Sequence, residues 1–221
     1  RSGMGFYLNS AAPYFLYKSE VNSPYFVDKS QLLEELFPFV EQGNKHVCIT
    51  RPRRFGKTVM ANMIGAFFGK GVDSHETFDS LKISESTSYQ RHINKYDVIY
   101  IDFSKMPNEC NSYSMYISRI EKKLKRDLTK AFHDSEIDTE DSLWDILDQI
   151  FNDYDGQQFI FVMDEWDNIF HRNFVTDNDK KSFLLFLSNL LKNHAYVAMS
   201  YMTGILPISK YSSGSELNMF M

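Results

Sequence analysis

Four apolar, β-prone runs separated by amphipathic segments constrain the fold of this chain more than any other feature of its sequence. The runs are HVCIT at 46–50, DVIYIDF at 97–103, QFIFVM at 158–163 and AYVAMSYM at 195–202. Strands that are apolar throughout need burial on both faces, and parallel strands need the long crossovers that intervening helices supply. The sequence therefore predicts an α/β fold of three layers, with a mostly parallel sheet between two layers of helices.

Apolar residues at intervals of three and four predict the helices between these runs. Such spacing covers about 29–41, the residues after 58, 117–128, 143–151 and 183–191. Asp28 and Gln31 resemble a capping box at the start of the first helix. The polar residues 73–95 have weak patterning and predict an irregular connection.

The first 30 residues are rich in aromatic side chains and contain two related heptapeptides, PYFLYKS at 13–19 and PYFVDKS at 24–30. Two copies are too few for a repeat architecture. They favour paired short strands or a strand and a turn, with coincidence and aromatic packing as the open alternative. We expect residues 1–30 to pack as a segment on a core formed by residues 31–221.

Composition argues against several classes of protein. No apolar run approaches the roughly 20 residues of a membrane-spanning helix, and the N-terminus lacks the pattern of a secretory signal. The formal net charge of −5 gives no overall basic footprint for nucleic acid. Cys48 and Cys110 are far apart in sequence, which disfavours a disulfide or a zinc site. We therefore expect a cytoplasmic protein without a membrane partner.

The segment RPRRFGKT lies between the first apolar run and an amphipathic helix. Gly56, Lys57 and Thr58 match the second half of the phosphate-loop pattern GxxxxGK[ST], in which amides and lysine hold phosphates and the hydroxyl binds magnesium. Arg51 replaces the first glycine and Pro52 follows it, so the loop is predicted to have a stiffer entry.

This loop predicts the contacts to ATP. The expected nucleotide-binding residues are Arg53, Arg54, Phe55, Gly56, Lys57, Thr58 and Val59. Lys57 would reach the β and γ phosphates and act in catalysis, and Thr58 would ligate Mg²⁺. For Arg53 and Arg54, phosphate contact, pairing with a nearby aspartate and solvent exposure all stay open.

The third run ends in an acidic pair of the Walker B form. Asp164 would hold the magnesium ion, and Glu165 would orient and deprotonate the attacking water. The alternative is that these two acids only cap the following helix.

In ATPases with a catalytic glutamate, the strand that follows the acidic strand typically inserts between that strand and the phosphate-loop strand. The fourth apolar run is the candidate for this strand. Thr203, at its end, would then act in catalysis as a sensor of the γ phosphate, with an ordinary turn residue before Gly204 as the alternative. Asp102, at the end of the second run, is a weaker candidate. All these positions follow strands, at the edge where such sheets bind ligands.

The chain resembles the bacterial AAA-ATPase-like family over about residues 24–221. The segments that carry the resemblance are YFVDKS, ITRPRRFGKT, VIYIDFS, FVMDEWDNI and MTGILPIS. The family itself has arginine and proline where the first loop glycine is usual. Relatives often continue into a helical lid and a domain similar to PD-(D/E)xK nucleases, neither of which is recognisable here. The resemblance therefore implies a truncated P-loop ATPase core with slow turnover.

Together the motifs predict a domain that binds MgATP and hydrolyses it to drive a conformational switch. A regulatory nucleotide-binding module with little turnover and a small-molecule phosphotransferase remain alternatives. Besides the nucleotide, the expected partners are a second copy of the chain or an unidentified protein. Nucleic acid is expected only through a fused nuclease-like domain. No arginine finger can be assigned.

Overall fold

In the computed structural model, which describes residues 4–50 and 57–206, four parallel strands form the central sheet. The strands are β1 Lys45–Thr50, β2 Asp97–Asp102, β3 Phe159–Asp164 and β4 Val197–Gly204. Their order across the sheet is β1-β4-β3-β2, and each neighbouring pair is parallel. The last strand of the described residues, β4, therefore lies between β1 and β3, which confirms the arrangement predicted for an additional-strand ATPase.

Two helical layers cover the sheet. The helices are α1 Ala12–Val21, α2 Leu33–Gln42, α3 Lys57–Phe68, α4 His75–Phe78, α5 Tyr89–His92, α6 Tyr113–Ala131, α7 Leu143–Asp153 and α8 Asp177–Leu191. Helices α1 to α5 supply the apolar cluster on one face, and α6 to α8 supply the cluster on the other. Within the described ranges, no helix combines the length and apolar character needed to cross a membrane.

Strand β3 shows why its sequence is apolar at every position. Phe159, Phe161 and Met163 belong to the cluster under α6 to α8, whereas Ile160 and Val162 belong to the cluster under α1 to α3. Successive side chains of a strand point to opposite faces, so a strand covered on both sides must be apolar throughout. This packing confirms the predicted three-layer α/β fold.

The N-terminal segment differs from its prediction. PYFLYKS lies in α1, with Pro13 in the first turn, where a proline without an N–H is tolerated. The preceding residues add a single antiparallel bridge between Leu8 and Ile99. The expected paired strands are therefore wrong, because α1 packs its aromatic side chains against α3 and α4 instead.

Two local predictions on this side of the sheet are also wrong. Asp28 does not form a capping box: its carboxylate accepts the amide of Ser30 at 2.8 Å and that of Lys82 at 2.8 Å. A 3-10 turn at Ser30–Leu32 then precedes α2. The connection at 73–95 contains α4 and α5, whose weak periodicity reflects their length of four residues each.

Candidate functional site

The candidate site begins where β3 and β4 end side by side. Asp164 closes β3 with 1% exposure, and Thr203 lies near the end of β4 with 0% exposure. The Thr203 hydroxyl donates to Asp164 Oδ1 at 2.5 Å and accepts the backbone N–H of Glu165 at 3.2 Å. One buried hydroxyl therefore connects the two acids of the predicted Walker B pair.

Thr58, in the first turn of α3, lies near the same carboxylate. Its side chain lowers the pKa of Asp164, although the two residues lie on different elements. Burial raises the pKa of the Asp164 carboxyl above its ordinary value, and the nearby charges of Asp102 and Glu165 raise the pKa further. The hydrogen bond from Thr203 and the side chain of Thr58 act in the opposite direction.

These side chains suit a hard divalent cation. Magnesium takes oxygen ligands, and in proteins it is often bound through one or two carboxylates while retaining several waters. The hydroxyl of Thr58 and the carboxylate of Asp164 are oxygen ligands that lie near each other. A positive ion would also offset the cost of a buried carboxylate with acidic neighbours.

Glu165 sits in a backbone conformation that most residues avoid. Its φ angle is +52°, in the left-handed region, where side chains other than Gly, Asn and Asp are uncommon. The flanking amides hold it there, because the N–H of Glu165 is bonded to the Thr203 hydroxyl and that of Trp166 to the Thr203 carbonyl at 2.9 Å. Such strain is found at functional sites more often than elsewhere.

Asp167 ties this turn to the chain beyond β4. It is 2% exposed, and its Oδ2 accepts the amides of Ile205 at 3.1 Å and Leu206 at 2.7 Å. Position 204 must be glycine, because a Cβ there would lie 2.5 Å from Trp166 Nε1 and 2.8 Å from Asp167 Oδ1. The acidic turn and the end of β4 therefore form one interlocked unit.

Two members of the site were missed by sequence reasoning. The Tyr100 hydroxyl donates to Asn62 Oδ1 at 2.9 Å, and both side chains line a cleft together with Thr58 and Asp102. The helix and strand periods of the sequence could have indicated both residues. Asn62 follows Thr58 by one helical turn of four residues, and Tyr100 precedes Asp102 by two positions on a strand.

The first turns of α3 separate two cavities of different chemistry. On one side, a cavity of about 250 Å³ is lined by Val59, Met60 and Met63 together with aromatic side chains of the N-terminal segment, and also by Glu20 and Lys29. On the other, a cleft of about 680 Å³ contains Thr58, Asp102, Lys105 and Arg119 beside aromatic and aliphatic side chains of the N-terminal segment. We call the first the apolar cavity, because most of its lining side chains are aromatic or aliphatic, and the second the charged cleft, because it holds three charged side chains.

Comparison with known families supports the resemblance seen in the motifs. The family model for "Predicted AAA-ATPase" matches residues 18–213. This chain belongs to the AAA-ATPase-like family. No curated protein matches it.

Among solved structures, this AAA-ATPase-like chain is similar to the Aeropyrum pernix ORC2 protein, whose structure was determined in ADPNP-ADP complexes. The sequence identity is 11% and the TM-score is 0.43. The similarity covers 91% of the present chain and 50% of the ORC2 chain.

The predicted site residues of this AAA-ATPase-like chain fall into three groups. Thr58, Asp164, Glu165 and Thr203 are brought together, and Val59 lines the adjoining apolar cavity. Lys57 is the first residue of α3. The predictions for Arg53, Arg54, Phe55 and Gly56 lie outside the described residues.

Proposed function

We propose that this chain binds MgATP and hydrolyses it to ADP and phosphate, and that hydrolysis drives a conformational switch. The observation that carries the proposal is the proximity of Thr58 to Asp164, beside the strained Glu165. It joins the end of the GKT motif to the acidic pair at one edge of the sheet. Family membership supports nucleotide binding.

Thr58 and Asp164 would hold the magnesium ion, which when bound supplies positive charge against the phosphate oxygens. Lys57 would supply a second positive charge at the first residue of α3. The helix N-terminus adds amide donors and the positive end of the helix dipole. These charges oppose the negative charge that develops on the transferred phosphoryl group.

Glu165 would act as the general base. Its carboxylate would orient a water molecule and accept one of its protons as the water oxygen attacks the γ phosphorus. The bond between the γ phosphorus and the bridging oxygen breaks, and ADP leaves with that oxygen. The backbone strain at Glu165 supports this role, because the amides of Glu165 and Trp166 donate to the hydroxyl and the carbonyl of Thr203 and so hold the backbone of Glu165 in one conformation.

Thr203 would position the acids and transmit their state. Its hydroxyl donates to Asp164 and also receives the amide of Glu165, so a change at either acid reaches the end of β4. Asp167 continues this connection to Ile205 and Leu206. The sensor role predicted for Thr203 would therefore operate through Asp164, with the segment after β4 as the first part to respond.

The apolar cavity beside Val59 and Met60 would hold the nucleotide base. It adjoins the first turn of α3, and its aromatic and aliphatic lining suits the faces of a planar ring. The volume of about 250 Å³ is sufficient for a base but not for a whole nucleotide. The triphosphate would then extend toward Lys57 and Thr58.

The direct test is the binding of labelled ATP with and without Mg²⁺ to the wild type and to Lys57→Ala. We expect affinity to fall at least about tenfold in the variant, which corresponds to about 1.4 kcal/mol for a charge-assisted phosphate contact. Lys95→Ala is the matched control, because Lys95 is exposed outside the site. Equal affinity of the wild type and Lys57→Ala would refute the proposed phosphate site.

A phosphotransferase is the second candidate, and the charged cleft favours it. An acceptor needs room next to the transferred phosphate, and the cleft of about 680 Å³ adjoins Thr58. Asp102 could accept the hydroxyl proton of such an acceptor, while Lys105 and Arg119 could bind an anionic group on it. ATP consumption that requires an added small-molecule alcohol would favour this candidate, and consumption in buffer alone would favour hydrolysis.

A further inference from the structure

The outer face of α6 concentrates positive charge on an acidic protein. This helix contains six Lys and Arg against two acids, so the rest of the chain holds 18 Lys and Arg against 27 acids. The cations are Arg119, Lys122, Lys123, Lys125, Arg126 and Lys130. The sequence motifs predict contact with nucleic acid only through a fused nuclease-like domain. The arrangement of these cations indicates a nucleic-acid site on this chain itself.

Few acids neutralise this face. In the described part of the chain, the one ion pair formed by these six cations joins Lys125 to Glu121, with 3.9 Å between Nζ and Oε2. Lys122, Arg126 and Lys130 are exposed and follow each other at intervals of four residues, so they form a row along the helix. Glu121 and Glu140 line a cavity together with this row, but among the described residues neither forms an ion pair with Lys122, Arg126 or Lys130.

The second acid of α6, Asp127, does not cancel the row because it is buried and used internally. Its carboxylate accepts the amides of Phe6 at 3.0 Å, Tyr7 at 2.7 Å and Leu8 at 3.1 Å. Gly5 permits this approach, since a Cβ there would lie 2.4 Å from Asp127 Cγ. Asp127 therefore fixes the N-terminal segment against the helix.

This anchoring places an aromatic ring among the cations. Phe6 is 53% exposed, with Lys123 Nζ 4.2 Å and Arg119 Cζ 5.5 Å from the ring centroid. An adjoining groove of about 590 Å³ is lined by cations, two serines and a methionine, without any carboxylate. Its lining residues are Ser114, Met115, Ser118, Arg119, Lys122, Lys123 and Arg126.

We propose that this basic face, defined as the cations of α6 other than Lys125 together with Phe6, binds a single strand of nucleic acid. The cations would follow the phosphates, and Phe6 would stack on a base, which is how grooves that bind single strands combine charge with aromatic rings. From Arg119 to Lys130 the cations extend about 17 Å along α6, enough for about five nucleotides at 3.4 Å each. This lies within the usual site sizes for such proteins.

The observations favour nucleic acid over an anionic membrane. A helix that lies in a lipid surface inserts its apolar face, but the apolar face of α6 is buried in the protein core. Ile117, Ile120, Leu124 and Leu128 all belong to that core. What the basic face offers to a partner is charge and one aromatic ring.

The test is fluorescence anisotropy of a labelled oligothymidine of about 20 nucleotides. We expect the wild type to bind with a Kd of roughly 10⁻⁶ to 10⁻⁴ M and to lose affinity steeply between about 50 and 200 mM salt. Lys122→Ala/Arg126→Ala should weaken binding about tenfold and flatten the slope against log salt by about 1.4, or 0.7 per lost phosphate contact. The double variant Lys95→Ala/Lys181→Ala removes the same charge from other exposed positions and should retain wild-type affinity.

A second variant separates stacking from charge. Phe6→Leu should weaken binding about fivefold or more with an unchanged salt slope, because a lost stack removes no phosphate contact. Wild-type protein that does not bind at about 50 mM salt would overturn the proposal. So would equal losses in the two double variants, equal affinity for a duplex of the same length, or binding only to vesicles that contain phosphatidylserine.

Discussion

Strands β2 and β3 both end in aspartate, and the two residues, Asp102 and Asp164, are paired in register. Asp164 is buried, receives a hydrogen bond from the side chain of Thr203 on β4, and has its pKa lowered by the side chain of Thr58 on α3. Asp102 has 16% of its side chain exposed and is satisfied locally, by the amide and hydroxyl of Ser104 at 2.9 and 2.6 Å.

The difference between these aspartates comes from their neighbours. Asp164 lies next to the inserted strand β4 and the start of α3, so its carboxylate is enclosed by groups that suit a cation. Asp102 lies at the edge strand, where solvent and Lys105, at 4.0 Å, complete its surroundings. The same residue type at the same strand position thus has different surroundings, and four experiments examine how far that difference extends.

The largest effect is expected in hydrolysis. Glu165→Gln removes the proposed base and should lower the rate of phosphate release by at least about 100-fold, because general-base catalysis contributes about 10² to 10⁴. Asp102→Asn, at the other strand end, should stay within about threefold, since Asp102 is not needed for water attack. A wild-type rate no higher than that of Glu165→Gln would instead favour a regulatory nucleotide-binding module.

The next effect concerns the buried hydroxyl. Thr203→Val leaves Asp164 Oδ1 and the Glu165 amide without their partner and should cost about 1–3 kcal/mol in the free energy of unfolding. Thr203→Ser keeps the hydroxyl and should restore most of this loss. Ser104→Ala is the matched change at Asp102 and should cost only about 0.5 kcal/mol, because water can replace the hydroxyl there. Urea denaturation measures the free energy of unfolding of all three variants. Equal losses in Thr203→Val and Ser104→Ala would contradict the proposed difference between the two strand ends.

Magnesium dependence should separate the two aspartates directly. In Asp164→Asn, the gain in ATP affinity on adding Mg²⁺ should fall at least about tenfold, or 1.4 kcal/mol, because a neutral amide is a weaker ligand than a carboxylate. Asp102→Asn should keep most of that gain. Titration of labelled ATP with and without Mg²⁺ provides the measurement. A larger loss in Asp102→Asn would transfer the proposed cation site to the end of β2.

The smallest effect is on stability without the cation. The folded-state pKa of Asp164 is raised, so its contribution to stability is fully present below the unfolded value of 3.8 and is lost as pH rises through the folded pKa. Asp164→Asn should therefore raise the Tm at neutral pH in EDTA by about 2 °C or more, and its advantage should shrink as pH falls toward the unfolded value. Asp102→Asn should show no such gain. Thermal denaturation at several pH values measures these Tm differences. A Tm of Asp164→Asn below that of the wild type at neutral pH would contradict the prediction.

Much of the fold could be predicted because each main element has its own periodic signal. The apolar strand of residues 159–164 and the amphipathic pattern of α6 are both local, so the sequence reveals them directly. The N-terminal segment was predicted wrongly because its aromatic residues suit strands as well as helices. Contacts with α3 decide in favour of helix α1, and these contacts are distant in sequence.

The candidate site was predictable in part for the same reason. Asp164, Glu165 and Thr203 each follow an apolar run, and the rule that ligands bind at the carboxyl ends of parallel strands brings them to one edge. The pairing of Asn62 with Tyr100 and the burial of Asp127 under the N-terminal amides were not predictable. Both depend on side chains from separate elements that meet only after folding.

The sequence by itself determined the layered α/β architecture and the residue types available at each strand end, because strand and helix periods are local properties of the chain. Only the tertiary structure decided which aspartate is enclosed, that Glu165 adopts a left-handed conformation, and that Phe6 lies among the cations of α6. Burial, backbone strain and electric field arise from groups brought together across long sequence separations. A local pattern therefore cannot specify them.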